Sequence, residues 1–222
     1  LSVIDASDTA VPRYAQAFPT HLDPTDVSIK LAGAGGDGAQ TAAMLLTKAA
    51  INEGFDATHI PSYGPESRGG TSYADVHVAA EEVLSPAAPD PRLLVAFNAP
   101  SLAKFGPTVR PDGLILYDST VIEQAPQLDP SVRLLGLPFT AIATEVGNPR
   151  VKNTVALGAL VAATDLLTEQ TFESALRRSL HDADCMMGEI NQEAFRRGAQ
   201  AARDAVAGQG TDGVPGRPLA LA

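Results

Sequence analysis

Cysteine is nearly missing from this chain: Cys185 is the single one among 222 residues. That excludes an internal disulfide framework, and it excludes an iron–sulfur cluster held by this chain's thiolates alone. Tryptophan is absent and aromatic residues make up only 5%. The core must therefore be assembled from Ala, Val, Leu and Ile, which suits helices packed closely on a parallel sheet. No apolar run approaches the about 20 residues needed to span a bilayer. Basic residues are also short, 16 against 26 acidic ones, for a formal net charge of -10. A broad nucleic-acid surface, which displaces counterions with a basic excess, is excluded. Leu1 to Asp8 lack the basic start and apolar block of a secretion signal, so a cytoplasmic location is expected.

What is present is a globular composition, 45% hydrophobic, long enough for one sizeable core. It is organised around Gly33-Ala34-Gly35-Gly36-Asp37-Gly38. The apolar run Val27 to Ala32 enters this turn as a buried strand. Ala39 to Glu53, rich in Ala, Leu and Met, leaves it as a helix stopped by Gly54. Strand, glycine turn and helix open an α/β unit whose turn places backbone N–H groups at a helix N-terminus, where an anion such as phosphate is favoured. A second glycine loop, Ser62 to Gly70, brings Arg68 beside Gly69 and Gly70. There the backbone can approach a ligand closely and a guanidinium can fork onto phosphate. The net negative charge does not forbid this, because distant charge is screened over about 8 Å.

The remaining pattern predicts strands at Phe55–Ile60, Thr71–Val78, Leu93–Phe97, Leu114–Tyr117 and Val132–Leu137, with a short helix from Pro100 to Phe105. Helices then follow at Phe139–Val146, Thr154–Leu167, Phe172–Leu180 and Gly188–Ala207. The second of these is apolar nearly all round and so buried. In the last, Glu193 is placed to pair with Arg196 or Arg197. The fold class is α/β: a mainly parallel sheet flanked by helices, with a helical C-terminal part. The expected organisation is an N-terminal arm over residues 1–26, one α/β domain over 27–207 and a Gly/Pro-rich tail over 208–222. The arm is either a loosely ordered terminus or a segment lying across a partner subunit.

Several motifs are incomplete. Gly33-x-Gly35-x-x-Gly38 matches the dinucleotide fingerprint, yet the second strand ends at His59-Ile60-Pro61, without the carboxylate that would grip a ribose. Gly36-Asp37-Gly38 imitates the opening of a thiamine diphosphate–magnesium motif but lacks the later Asn, so no metal is expected here. His181 and Cys185 share a helix face without a third ligand. Arg150 and Lys152 stand at the start of the buried helix, where each cation costs a few tenths to about 1 kcal/mol. An anion between them would reverse that sign; otherwise both point to water.

Taken together, Gly33 to Gly38 and Tyr63-Gly64-Pro65-Glu66-Ser67-Arg68-Gly69-Gly70 resemble the gamma subunit or gamma domain of the 2-oxoacid:ferredoxin (acceptor) oxidoreductases. The resemblance continues through Phe97-Asn98-Ala99-Pro100, Gly113 to Asp118 and Asn153 to Ala159. It implies a complex that oxidatively decarboxylates a 2-oxoacid to an acyl-CoA. Thiamine diphosphate, magnesium and iron–sulfur clusters would lie on alpha, beta and ferredoxin-like delta partners, and ferredoxin or another acceptor would take the electrons. This chain would help bind coenzyme A, pack on the alpha and beta chains and supply no catalytic residue. By the same resemblance Gly33, Ala34, Gly35, Gly36 and Gly38 would line the coenzyme's phosphates. Arg68, Gly69 and Gly70 would meet its phosphate or pantetheine end, and Asn98 and Asn153 would offer polar contacts. Many relatives have Gln where Asp37 stands; a carboxylate there would repel pyrophosphate, so Asp37 is expected to point away or cap the helix. Two other readings remain: a purely structural subunit of the same complex, and a free-standing nicotinamide dehydrogenase.

Overall fold

The computed structural model describes residues 26–62, 71–83, 85–164, 166–179 and 185–209. The expected arm (save Asp26), the second glycine loop with Arg68, Gly69 and Gly70, and most of the expected tail lie outside these residues. So does His181. Six strands, β1 (Val27–Ala34), β2 (Asp56–Ser62), β3 (Thr71–Ala79), β4 (Leu93–Ala96), β5 (Leu114–Asp118) and β6 (Arg133–Leu137), form one sheet in the order β2-β3-β1-β4-β5-β6. Its helices are α1 (Ala39–Glu53), α2 (Ala99–Phe105), α3 (Phe139–Glu145), α4 (Lys152–Thr164), α5 (Glu169–Ser179) and α6 (Cys185–Gln209).

The pairs β1–β4, β4–β5 and β5–β6 are parallel, whereas β3 runs antiparallel between β1 and β2. Alternation along the strands separates two cores. Ile29, Leu31, Val95, Leu116 and Leu137 face α1, α3, α4, α5 and α6; Ala32, Leu94, Ala96 and Ile115 face α2. Helix α4 is sandwiched between the sheet and α6 and buried nearly all round, which accounts for its unbroken apolar sequence.

Glycine sets both ends of α1. Gly38 is its N-cap at φ 82° and Gly54 follows it at φ 100°. Gly54 N–H donates to Ile51 O and Phe55 N–H to Ala50 O, a Schellman ending sealed by buried Phe55. Phe55 is thereby used up, and β2 begins one residue later than the sequence pattern predicts. Helix α4 stops at Thr164, short of the predicted Leu167: Thr164 Oγ1 donates back to Leu160 O at 2.7 Å and accepts from Leu166 N at 3.4 Å.

The predicted pairing of Glu193 within its own helix is not the one found. Arg196 reaches Glu173 of α5 at 3.0 Å, Arg197 pairs with Glu145 of α3, and Arg203 pairs with Glu169 of α5. These cations tie helices to one another instead of decorating one face.

On the face of β1 and β3 opposite α1, a polar stripe is buried. Lys30, in register with Asp75, forms an ion pair with it, and its ammonium lies 4.6 Å from the Tyr73 ring centre and 5.2 Å from that of Phe105. Asp75 also accepts from Ala88 N at 3.0 Å. The adjacent His77 has Asp26 Oδ1 at 2.9 Å from Nδ1 and Ala87 O at 3.1 Å from Nε2. The alternation in β3 thus marks two buried faces of unlike polarity.

Candidate functional site

The carboxyl ends of β1, β4, β5 and β6 lie along one edge of the sheet. From β1 the chain passes into α1 on one face; from β4 it passes into α2 on the other. The crevice between the two exits is a topological switch point, where open α/β sheets bind ligands. Gly33 to Gly38 form one lip and Asn98 the other. Ser62 and Thr71 lie at this edge too, since β3 starts with Thr71 opposite Ala34 and β2 ends with Ser62 opposite Tyr73. Gln40, in the first turn of α1, ties these two strand ends together: its Nε2 is 2.7 Å from Tyr73 O, 3.3 Å from Ser72 Oγ and 3.4 Å from Ser62 O.

At the centre of the crevice sits Asp37. It neither points away nor caps α1, as expected from the sequence. Gly38 is the N-cap, and Asp37 folds back into its own turn. Its Oδ2 accepts from Ala34 N at 2.7 Å and faces Asn98 Nδ2 at 3.5 Å, while its Oδ1 lies 2.6 Å from Lys152 Nζ. The turn closes locally because Asp37 N–H donates to Ala34 O at 3.1 Å. A Cβ on Gly33 would fall 2.8 Å from Asp37 Cβ and Oδ2, so the missing side chain at Gly33 makes room for a carboxylate of this chain.

Of the other expected site residues, those among the described residues lie close to this carboxylate or to its turn, and Arg68, Gly69 and Gly70 are not among them. Asn98 spends its Oδ1 capping α2, accepting from Ser101 N at 2.9 Å. Asn153 lies under the N-cap: a Cβ on Gly38 would come within 2.9 Å of its side chain. Asn153 is 8% exposed and its amide makes no hydrogen bond among the described residues. Gly35 and Gly36 are exposed at the mouth of the turn, with Gly36 at φ 101°. Lys152 is half of an internal ion pair, and the anion beside it is part of the protein; Arg150 is exposed.

Three participants escaped the sequence pattern. Lys152 meets Asp37 across 115 residues, and only its odd place at a helix N-terminus hinted at an anionic partner. Gln40 has no local signal, since its acceptors lie 22 to 33 residues away. Asp118, fully buried at the end of β5, accepts from Thr120 N, Thr140 N and Thr140 Oγ1, at 3.1, 3.3 and 2.6 Å, and so fixes the start of α3.

The crevice can hold an anion. Helix α1 has no acidic residue in its first turn and no side-chain cap, so no side chain of its own first turn offsets its positive end. The N–H groups of Gly35, Gly36 and Gly38 find no acceptor among the described residues, and Lys152 offsets the charge of Asp37. The topology also differs from a dinucleotide fold, because β3 separates β1 from β2 and takes the end of the second strand away from the glycine turn. Among the described residues there is no group of His, Cys, Asp and Glu able to hold a metal, and no helix long and apolar enough to cross a membrane.

Known proteins agree with this architecture. The family model described as pyruvate ferredoxin/flavodoxin oxidoreductase matches residues 28–201. The ketoisovalerate oxidoreductase subunit VorA of Methanothermobacter marburgensis is 38% identical over 194 residues, 84% of this chain and 40% of VorA. The chain thus spans about two fifths of that relative's length. The gamma subunit of a keto/oxoacid ferredoxin oxidoreductase from Geobacter sulfurreducens has a TM-score of 0.70 and 29% identity, over 81% of this chain and 99% of that one. A 2-oxoglutarate:ferredoxin oxidoreductase from Magnetococcus marinus, solved with 2-oxoglutarate, coenzyme A and succinyl-CoA bound, shares the fold at a TM-score of 0.75 and 23% identity, over 81% of this chain and 31% of that one. The chain belongs to the pyruvate ferredoxin/flavodoxin oxidoreductase family, and its fold is that of the family's gamma subunit.

Proposed function

We propose that this chain is the gamma component of a thiamine-dependent 2-oxoacid:acceptor oxidoreductase complex and contributes to its coenzyme A site. The observation that carries the reading is the switch-point crevice. A glycine turn, a 15-residue helix without a side-chain cap and the strand ends that flank a second, arginine-bearing glycine loop meet at one sheet edge. Coenzyme A presents phosphates to such an edge, and the donors left open there, the N–H groups of Gly35, Gly36 and Gly38, suit phosphate oxygens. Asn153 offers an unspent amide beneath them. Arg68, Gly69 and Gly70 of the second loop would meet the ligand's phosphate or pantetheine end. Asn98 acts indirectly, holding α2 and Asp37 in place.

In this reading the chain orients the coenzyme and performs no bond-making step. Thiamine diphosphate, bound on alpha and beta partners with magnesium, supplies the decarboxylation chemistry. Iron–sulfur clusters on partners such as a ferredoxin-like delta chain would supply the electron path to ferredoxin or another acceptor. The structural-subunit alternative has one observation in its favour: Ala34 N–H, an expected phosphate donor, is already bonded to Asp37.

Isothermal titration of coenzyme A into the assembled complex separates the two. Gly35→Glu, at an exposed position without positive φ, should weaken binding at least tenfold, about 1.4 kcal/mol. Arg68→Ala should raise the coenzyme A KM while sparing decarboxylation. Unchanged affinity in both variants would leave the structural role.

A further inference from the structure

We propose that Asp37 is a built-in placeholder for the ligand's anion, competing with it for the donors of the switch-point crevice. The proposal rests on the coenzyme A reading for the identity of that ligand, and on the geometry for everything else. A backbone N–H of a glycine turn, a lysine ammonium and a carboxamide N–H converge on one carboxylate: Ala34 N at 2.7 Å, Lys152 Nζ at 2.6 Å and Asn98 Nδ2 at 3.5 Å. That is a donor set for a phosphate oxygen, filled here by the chain itself. The carboxylate occupies the space left by the absent Cβ of Gly33.

Two features argue that the occupant is exchangeable. The backbone that carries Asp37 is a glycine turn, flanked by Gly36 and Gly38, both at positive φ. Beside it the crevice holds an independent mark of a ligand: Asn153, 8% exposed as a residue, lies against the N-cap of α1 with its Nδ2 2.9 Å from where a Gly38 Cβ would stand, and has no hydrogen-bond partner among the described residues. An amide that the protein itself does not use is free to donate to a ligand. An incoming phosphate that displaced the carboxylate would meet Lys152 and Ala34 N–H, and the N-terminus of α1 would lie alongside. The Asp37–Lys152 pair keeps that cation ready and blocks weakly held anions, so the pair sets a threshold for affinity.

The test uses the assembled complex and two probes, coenzyme A and inorganic pyrophosphate, titrated at two salt concentrations. Asp37→Asn keeps an acceptor for Ala34 N–H and removes the competing charge; Asp37→Ala removes both. Each should bind both probes about tenfold more tightly than wild type, with a steeper loss of affinity on adding salt, because Lys152 is released to the ligand. Lys152→Met should bind both about tenfold more weakly. A merely structural pair would move all three variants the same way, toward weaker binding. If coenzyme A binds the wild type and Asp37→Asn and Asp37→Ala bind no better, the placeholder is refuted while the coenzyme A reading stands. If pyrophosphate follows the predicted order and coenzyme A does not bind, the placeholder stands and the coenzyme A reading falls. If neither probe binds any form, both fall.

Discussion

Gly158 of α4 and Gly198 of α6 let two helices touch backbone to backbone. A Cβ on Gly158 would lie 2.0 Å from Phe195 O, and one on Gly198 would lie 2.0 Å from Val155 O. Neither contact can be relieved by turning a side chain, so the helices must separate. Gly158→Ala and Gly198→Ala should each cost at least the about 1–3 kcal/mol of an overpacked core. Gly188 of α6, whose Cβ would meet nothing within 4 Å, is the control. There alanine should be neutral or stabilising by up to about 1 kcal/mol. Urea unfolding of the three variants checks the order; equal midpoints would contradict the close approach.

The buried Lys30–Asp75 pair gives a second expectation. Lys30 is 4% exposed and Asp75 8%. Lys30→Met leaves a carboxylate buried without its cation and should cost about 3–5 kcal/mol, whereas Lys30→Met with Asp75→Leu should recover much of that loss. A double-mutant cycle by chemical denaturation measures the coupling. Additive losses would mean that the two groups act independently.

Asn98 both caps α2 and faces Asp37, so its substitutions should rank unusually. Asn98→Ala loses the cap and should cost about 1 kcal/mol. Asn98→Asp keeps a good capping group but sets a second carboxylate against Asp37 Oδ2, now 3.5 Å from the Asn98 amide. It should be no better than alanine at low salt and should improve as salt is added. An aspartate variant as stable as wild type at low salt would contradict the geometry.

His59 on edge strand β2 has its Nε2 buried without a hydrogen bond among the described residues. Burial lowers its pKa from the ordinary 6.5. The folded chain therefore holds that proton less tightly than the unfolded one. Stability is unaffected by His59 above pH 6.5 and falls as the pH drops below it. His59→Gln should flatten this acid side of a melting-temperature profile, and an unaltered slope would exonerate His59.

Much of this was legible in the chain because single residues carry it. Gly38 and Gly54 bound α1 to the residue, and the unbroken apolar run of α4 announced a buried helix. The strand pattern located β3 as well, but alternation says nothing about direction or neighbours. That β3 would run antiparallel between β1 and β2 followed only from pairing across the sheet. The site was half legible for the same reason. Glycines and asparagines at the edge were visible, whereas the orientation of Asp37 depends on Lys152 far along the chain and on the space beside Gly33. Arg196 and Arg197 taught the same lesson on the surface: helical spacing offered Glu193, and tertiary packing supplied Glu173 and Glu145 instead.

The most direct measurement of the central claim is a structure of the assembled complex with coenzyme A bound. The account predicts the coenzyme's phosphates within hydrogen-bonding distance of the turn from Gly33 to Gly38, between the exits of β1 and β4, with Arg68 meeting the phosphate or pantetheine end. Partner polypeptide packed into that crevice, with the coenzyme bound elsewhere, would contradict it.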